Sequence, residues 1–128
     1  MIIGIGIDII QNERIAQSLE RFGDRFVHRL FTDVEAKYCE DSAKPEIHYA
    51  ARFAAKEATL KALGTGLVGD MRWHDVEVMS YSSGQPHLRL SGSVANCANQ
   101  MGVSQMLLSL SHTENYAIAN VILLGIID

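Results

Sequence analysis

The 128-residue chain is poor in cysteine, in net positive charge and in long apolar runs, and each shortage excludes a class of protein. Its two cysteines, Cys39 and Cys97, stand far apart, form no CxxC or CxxH spacing and fall in stretches of helical pattern. They read as buried thiols, not as a disulfide framework or a zinc site. No stretch approaches the roughly 18 uninterrupted apolar residues of a membrane span. The opening MIIGIGIDII carries no basic region and meets a carboxylate at its eighth position, so a signal peptide is not expected and the cytoplasm is the expected location. Eleven Lys and Arg against 15 Asp and Glu leave a net charge of −4, which gives the molecule as a whole no attraction for nucleic acid or an anionic membrane. Also missing are GxxxxGK[ST], GxGxxG ahead of a helix, HExxH and GxSxG, the commonest nucleotide and hydrolase signatures.

What is present suits one compact domain over residues 1–128, with 48% hydrophobic residues and enough length to bury a core without staples. Residues 2–10, IIGIGIDII, are β-branched and short, and read as a buried strand in which Gly4 and Gly6 mark close backbone approach. From Asn12, read as an N-cap, Ile15, Leu19 and Phe22 recur at helical spacing until Gly23 interrupts. Thr32-Asp33-Val34-Glu35 has the form of a capping box and opens a short helix from Asp33 to about Glu40. Pro45 suits the first turn of the longest helix, about residues 45–63, which Gly64 ends.

GTGLVGD then makes a loop, and strand-like sequence resumes near Trp73. Asp75–Tyr81 and His87–Ser91 flank SSGQP as a hairpin turning at Gly84. Ser93 caps a short helix stopping at Gly102, and Gln105–Ser111 with Tyr116–Ile127 form a last strand pair. The expected fold is α+β, an antiparallel sheet packed with helices.

Several residues carry chemistry. Asp8 lies in an apolar strand, where an ionised carboxylate is costly unless a cation, a salt bridge or a capping role meets it. Glu57 and Lys61 are one turn apart and share a helix face. As an isolated spacing, such a pair is an ordinary surface feature worth about 0.3–0.5 kcal/mol. The surrounding Ala50, Ala51, Ala54, Ala55, Ala58 and Ala62 change that, because small side chains let the helix lie close to a strand or ligand. Two carboxylates and a lysine suit phosphoryl chemistry: hard oxygens hold Mg²⁺, and the lysine offsets phosphate charge.

Arg52 and Lys56 form a second pair about 140° around the helix, placed for a different part of a long ligand. Ser109, Ser111, His112 and Thr113 cluster at a strand end, where turn chemistry and phosphate contact are both open. His28, His48, His74 and His87 show no ligand spacing and read as surface or core histidines. Arg14, Arg21, Arg25 and His28 fall on one face if the helix after Asn12 is continuous, a local basic stripe in an acidic chain.

GIGIDI, YAARFAAKEATLKALGTG and SLSHTENYAIANVI, in this order, resemble the holo-acyl-carrier-protein synthase family of 4′-phosphopantetheinyl transferases over essentially the whole chain. The resemblance implies transfer of 4′-phosphopantetheine from coenzyme A to a serine of apo acyl carrier protein, releasing adenosine 3′,5′-bisphosphate, with Mg²⁺ as cofactor. It places the ion on Asp8 and Glu57 and the phosphate charge on Lys61. Arg52 and His112 become contacts to the nucleotide, and Arg14, Arg21 and Arg25 the receiving surface for the carrier. It implies a homotrimer with sites between subunits, and leaves open which group takes the serine proton. A non-catalytic coenzyme A or carrier-binding module and a purely structural oligomer are the competing readings.

Overall fold

The computed structural model describes residues 1–126. In chain order the elements are β1 (Ile2–Gln11), α1 (Asn12–Phe22), α2 (Asp24–Leu30), α3 (Asp33–Glu40), α4 (Pro45–Leu63), a 3₁₀ turn (Trp73–Asp75), β2 (Val76–Ser80), β3 (Pro86–Leu90), α5 (Gly92–Met101), β4 (Val103–His112) and β5 (Tyr116–Gly125). The fold is α+β, but the strands form two antiparallel sheets, one ordered β1-β5-β4 and one made of the β2–β3 hairpin.

The local signals act where the sequence places them. Thr32 and Glu35 form both halves of the capping box of α3. Pro45 opens α4, and Gly64 ends it in the left-handed conformation. Gly23, with φ of +55°, separates α1 from α2. The basic stripe is therefore not continuous: Arg14 and Arg21 belong to α1, and Arg25 and His28 to α2.

Two capping expectations fail. Gln11 is the N-cap of α1 and makes no side-chain cap, while Asn12 is the first helical residue with its amide directed elsewhere. Likewise Ser91, not Ser93, precedes α5. A 3₁₀ turn occupies Trp73–Asp75 before strand structure begins at Val76. Within the final strand, Ile127 lies outside the described residues.

The helix α4 lies along β1 and β5, and this contact positions the site. Any Cβ added at Gly4 would run into the carbonyl oxygen of Ala62, and one at Gly6 into that of Ala58. Two strand residues advance about 6.6 Å and four helical residues about 6 Å, so the glycine and alanine rows stay in step. Ala54, Ala55, Ala58 and Ala62 then share a core with Val121 and Leu123 of β5 and Val76 and Val78 of β2. A second cluster joins Ile15, Val27, Leu30 and Phe31 to Tyr49 and Ala50 near the start of α4.

The opposite face of the β1-β5-β4 sheet is bare. Ile5, Ile7 and Ile9 are 65%, 63% and 58% exposed, and Leu107 and Ile118 on the neighbouring strands are also exposed. Contiguous apolar faces of this kind are uncommon on the surfaces of monomeric proteins.

Candidate active site

Asp8 belongs to the row of β1 that begins with Gly4 and Gly6, so the close approach of α4 brings the helix's charged face to it. Lys61 Nζ donates to Asp8 Oδ1 at 2.8 Å and to the Ile7 carbonyl at 3.1 Å. Asp8 Oδ2 is buried and accepts no hydrogen bond among the described residues. Glu57 completes the group. Burial raises its carboxyl pKa above the ordinary 4.5, the charge of Asp8 raises it further, and Lys61 opposes both. Lys61 itself is pushed up by its hydrogen bond to Asp8, which holds it protonated.

This arrangement fits a small divalent cation. Two neighbouring carboxylates, one of which raises the proton affinity of the other and itself has an oxygen lacking any donor, are what a hard cation relieves. Among the described residues no cluster of three or more His, Cys, Asp or Glu side chains forms a complete metal site. Asp8 and Glu57 would hold such an ion by their oxygens, with water and phosphate oxygens supplying the remaining ligands, as suits Mg²⁺.

Arg52 and His112 gather elsewhere on the chain. Arg52 is 3% exposed, its guanidinium lies 3.8 Å from the Tyr38 ring centre, Nη2 reaches Ser80 Oγ at 3.4 Å, and Nε is buried without a partner among the described residues. His48, four residues before Arg52, lies 6.2 Å from the His112 ring and 5.6 Å from the Tyr38 ring. Burial lowers the His48 pKa, and the Arg52 guanidinium and the neighbouring His112 ring lower it further. A buried guanidinium with donor capacity unmet, beside two imidazoles, has the chemistry to bind an anion. The reading of His48 as a surface or core histidine did not anticipate this neighbourhood, for which the i, i+4 spacing of His48 and Arg52 was the available signal; Tyr38 gave none.

The Arg52–Lys56 expectation is corrected. Lys56 is fully buried and reaches no ligand face: Nζ pairs with Glu35 Oε1 at 2.8 Å and donates to the carbonyls of Trp73, at 3.0 Å, and Val76. Glu35 Oε2 accepts from the Val78 N–H at 2.9 Å, and Oε1 from the Thr32 N–H at 2.9 Å. The pair is a satisfied internal brace between α3, α4 and β2. Cys39 is fully buried, its thiol pKa raised to about 12 chiefly by burial, and Cys97 is half-buried and free.

A groove of about 480 Å³ runs between α1, α2 and β1, with Arg14 and Arg21 beside Phe22, Phe26 and Phe53. A wider concavity of about 690 Å³ is lined by Asn12, Arg14, Lys44 and Glu114. Neither includes Asp8, Glu57 or Lys61. Arg25 is exposed on α2 outside that groove.

Comparison with known proteins agrees on one family. The model of the 4′-phosphopantetheinyl transferase superfamily matches residues 4–121. A holo-[acyl-carrier-protein] synthase of Koribacter versatilis is 50% identical over 123 residues, 96% of this chain and 98% of that protein. The crystal structure of the Neisseria meningitidis holo-[acyl-carrier-protein] synthase superposes with a TM-score of 0.89 at 33% identity, covering 98% of this chain and 100% of that one. That of a Bacillus anthracis holo-(acyl-carrier-protein) synthase, in complex with CoA (3′,5′-ADP), gives 0.80 at 35% identity, covering 98% of each.

Proposed function

The chain belongs to the 4′-phosphopantetheinyl transferase superfamily and is an enzyme of the holo-acyl-carrier-protein synthase type, and from that premise we propose that it moves 4′-phosphopantetheine from coenzyme A to a serine hydroxyl of an apo acyl carrier protein, leaving adenosine 3′,5′-bisphosphate. One observation carries the reading: Asp8, Glu57 and Lys61 meet across the β1–α4 contact, with Asp8 Oδ2 unpartnered among the described residues beside a carboxyl whose pKa is raised.

Asp8 and Glu57 are the proposed Mg²⁺ ligands, and the ion, when bound, would supply positive charge to the diphosphate oxygens. Lys61 stays protonated through its bond to Asp8 and presents a second positive charge to the same oxygens. The exit of the nucleotide half as an anion is thereby favoured. The serine proton goes either to Glu57 or to solvent, and both routes are compatible with a raised Glu57 pKa.

Arg52 and His112 are the proposed contacts to the nucleotide half. Within one chain they form a group separate from the carboxylates, and the carboxylates line neither of the two concavities beside α1. A homotrimer accounts for both facts, with one subunit supplying Asp8, Glu57 and Lys61 and its neighbour Arg52 and His112. The exposed Ile5, Ile7 and Ile9 face supports such association. Arg14 and Arg21, in the apolar groove beside α1, would receive an acidic carrier protein, with Arg25, exposed on α2 outside the groove, as a weaker contact. No described helix is long and apolar enough to cross a membrane, and we assign the protein to the cytoplasm.

Incubation with apo acyl carrier protein, coenzyme A and Mg²⁺ should raise the carrier's intact mass by one phosphopantetheine group, and chelation should stop it. An unchanged mass with several carriers would count against the reading.

A further inference from the structure

Asn12 is 3% exposed and directs both amide donors across the fold. Nδ2 donates to the carbonyls of Thr113 and Glu114, each at 3.0 Å, and the Asn12 backbone N–H donates to the Asn115 carbonyl at 2.9 Å. Three bonds from one residue thus hold the turn between β4 and β5, about a hundred residues away in sequence. The turn's remaining bonds are its own: Thr113 Oγ1 accepts from the N–H groups of Asn115 and Tyr116, and the Thr113 N–H donates to the Tyr116 carbonyl.

Meanwhile Asn12 Oδ1 is buried and accepts nothing among the described residues. A buried acceptor left unmet opposes folding. The asparagine is therefore poorly explained by stability alone, and better explained by where its two donated bonds fix the turn. That turn begins immediately after His112, the last residue of β4, whose ring faces His48.

We propose that Asn12 is a positioning residue for coenzyme A: acting through the β4–β5 turn, it holds His112 beside His48 and Arg52 without touching substrate itself. The proposal rests on the reading of His112 as a nucleotide contact. With the amide removed, His112 samples more positions, and substrate binding must order it again. The loss falls on coenzyme A binding, because Asp8, Glu57 and Lys61 are held by a different contact.

The test is a double-mutant cycle of Asn12→Ala and His112→Ala, read by intact-mass kinetics on the full chain with melting temperature as control. Asn12→Ala should raise the KM for coenzyme A about tenfold, with kcat and the KM for carrier within about twofold. His112→Ala should raise the KM at least as far, and the double variant should be no worse than His112→Ala. Additive effects, a loss in kcat alone, or a raised carrier KM would each overturn the proposal. If His112→Ala has the parent KM, the nucleotide-contact reading fails first, which is distinguishable from failure of the Asn12 link. Asn12→Ser, whose hydroxyl is too short to replace the amide, serves the same cycle should the alanine variant not fold.

Discussion

Lys61 donates to Asp8 Oδ1 at 2.8 Å, across 53 residues of sequence, and forms no ion pair with Glu57 one turn away on its own helix. The contact joins two elements that meet only because Gly4 and Gly6 carry no Cβ. Lys61 is 52% exposed at its side chain and Asp8 12%. A partly solvated pair of this kind contributes at most about 1 kcal/mol. Asp8→Ala should therefore change stability by about 1 kcal/mol or less while lowering the carrier-modification rate about a hundredfold or more. Chemical denaturation beside an intact-mass time course checks both halves.

Glu57 makes a prediction with a sign. Its folded pKa is raised, so the folded state holds the proton more tightly than the unfolded state does. Its stabilising contribution is full below the ordinary value of 4.5 and is lost as pH rises through the raised folded value. Glu57→Gln should lack that decline and melt at or above the parent temperature near neutral pH, yet lose most activity. Melting curves from acid to neutral pH in chelator, compared between the two chains, measure the difference. A variant with full activity would take Glu57 out of the mechanism.

The Glu35–Lys56 brace should behave oppositely. Both side chains are fully buried, so Lys56→Met leaves an uncompensated carboxylate among main-chain donors and should destabilise by about 3–5 kcal/mol. Equilibrium urea unfolding measures this. Adding Glu35→Gln, which removes the buried charge but keeps only one of the two acceptor oxygens, should recover part of the loss.

Gly6→Ala tests the approach of α4 to β1. The added methyl meets the Ala58 carbonyl, so helix and strand must separate. Overpacking of this kind costs about 1–3 kcal/mol. Activity should fall by more than the stability loss explains, because Asp8 separates from Glu57 and Lys61. An alanine variant with parent kcat would show that this spacing is not critical.

Subunit sharing is tested by complementation. Asp8→Ala and Arg52→Ala chains, each inactive alone, should regain activity after mixing and reassociation, with roughly a quarter of interfaces free of both defects. Ile7→Glu on the bare sheet face should dissociate the assembly in sedimentation and abolish activity together with it. Activity in a dissociated chain would place the whole site within one subunit.

The chain's elements were legible because their signals are local. A capping box needs Thr32 and Glu35 three residues apart, Pro45 and Gly64 act on the turns they adjoin, and Gly23 breaks a helix by its own φ. Asp8 was legible as a problem for the same reason: its strand neighbours are apolar, and a carboxylate there needs a partner. The identity of the partner was not. Lys56 and Lys61 are both helical lysines five residues apart, yet one becomes an internal brace to Glu35 and the other reaches Asp8, according to which neighbouring element covers each side of α4. Asn12 reads locally as a cap, and only the folded chain brings Thr113 and Glu114 to its amide. Sequence alone determined the helices, the strands and the need for charge compensation at Asp8, since those follow from interactions within a few residues. Tertiary structure decided who compensates whom, because strand order and helix packing bring together groups separated by 53 to 102 residues, and periodicity along one element carries no information about which face of another will meet it.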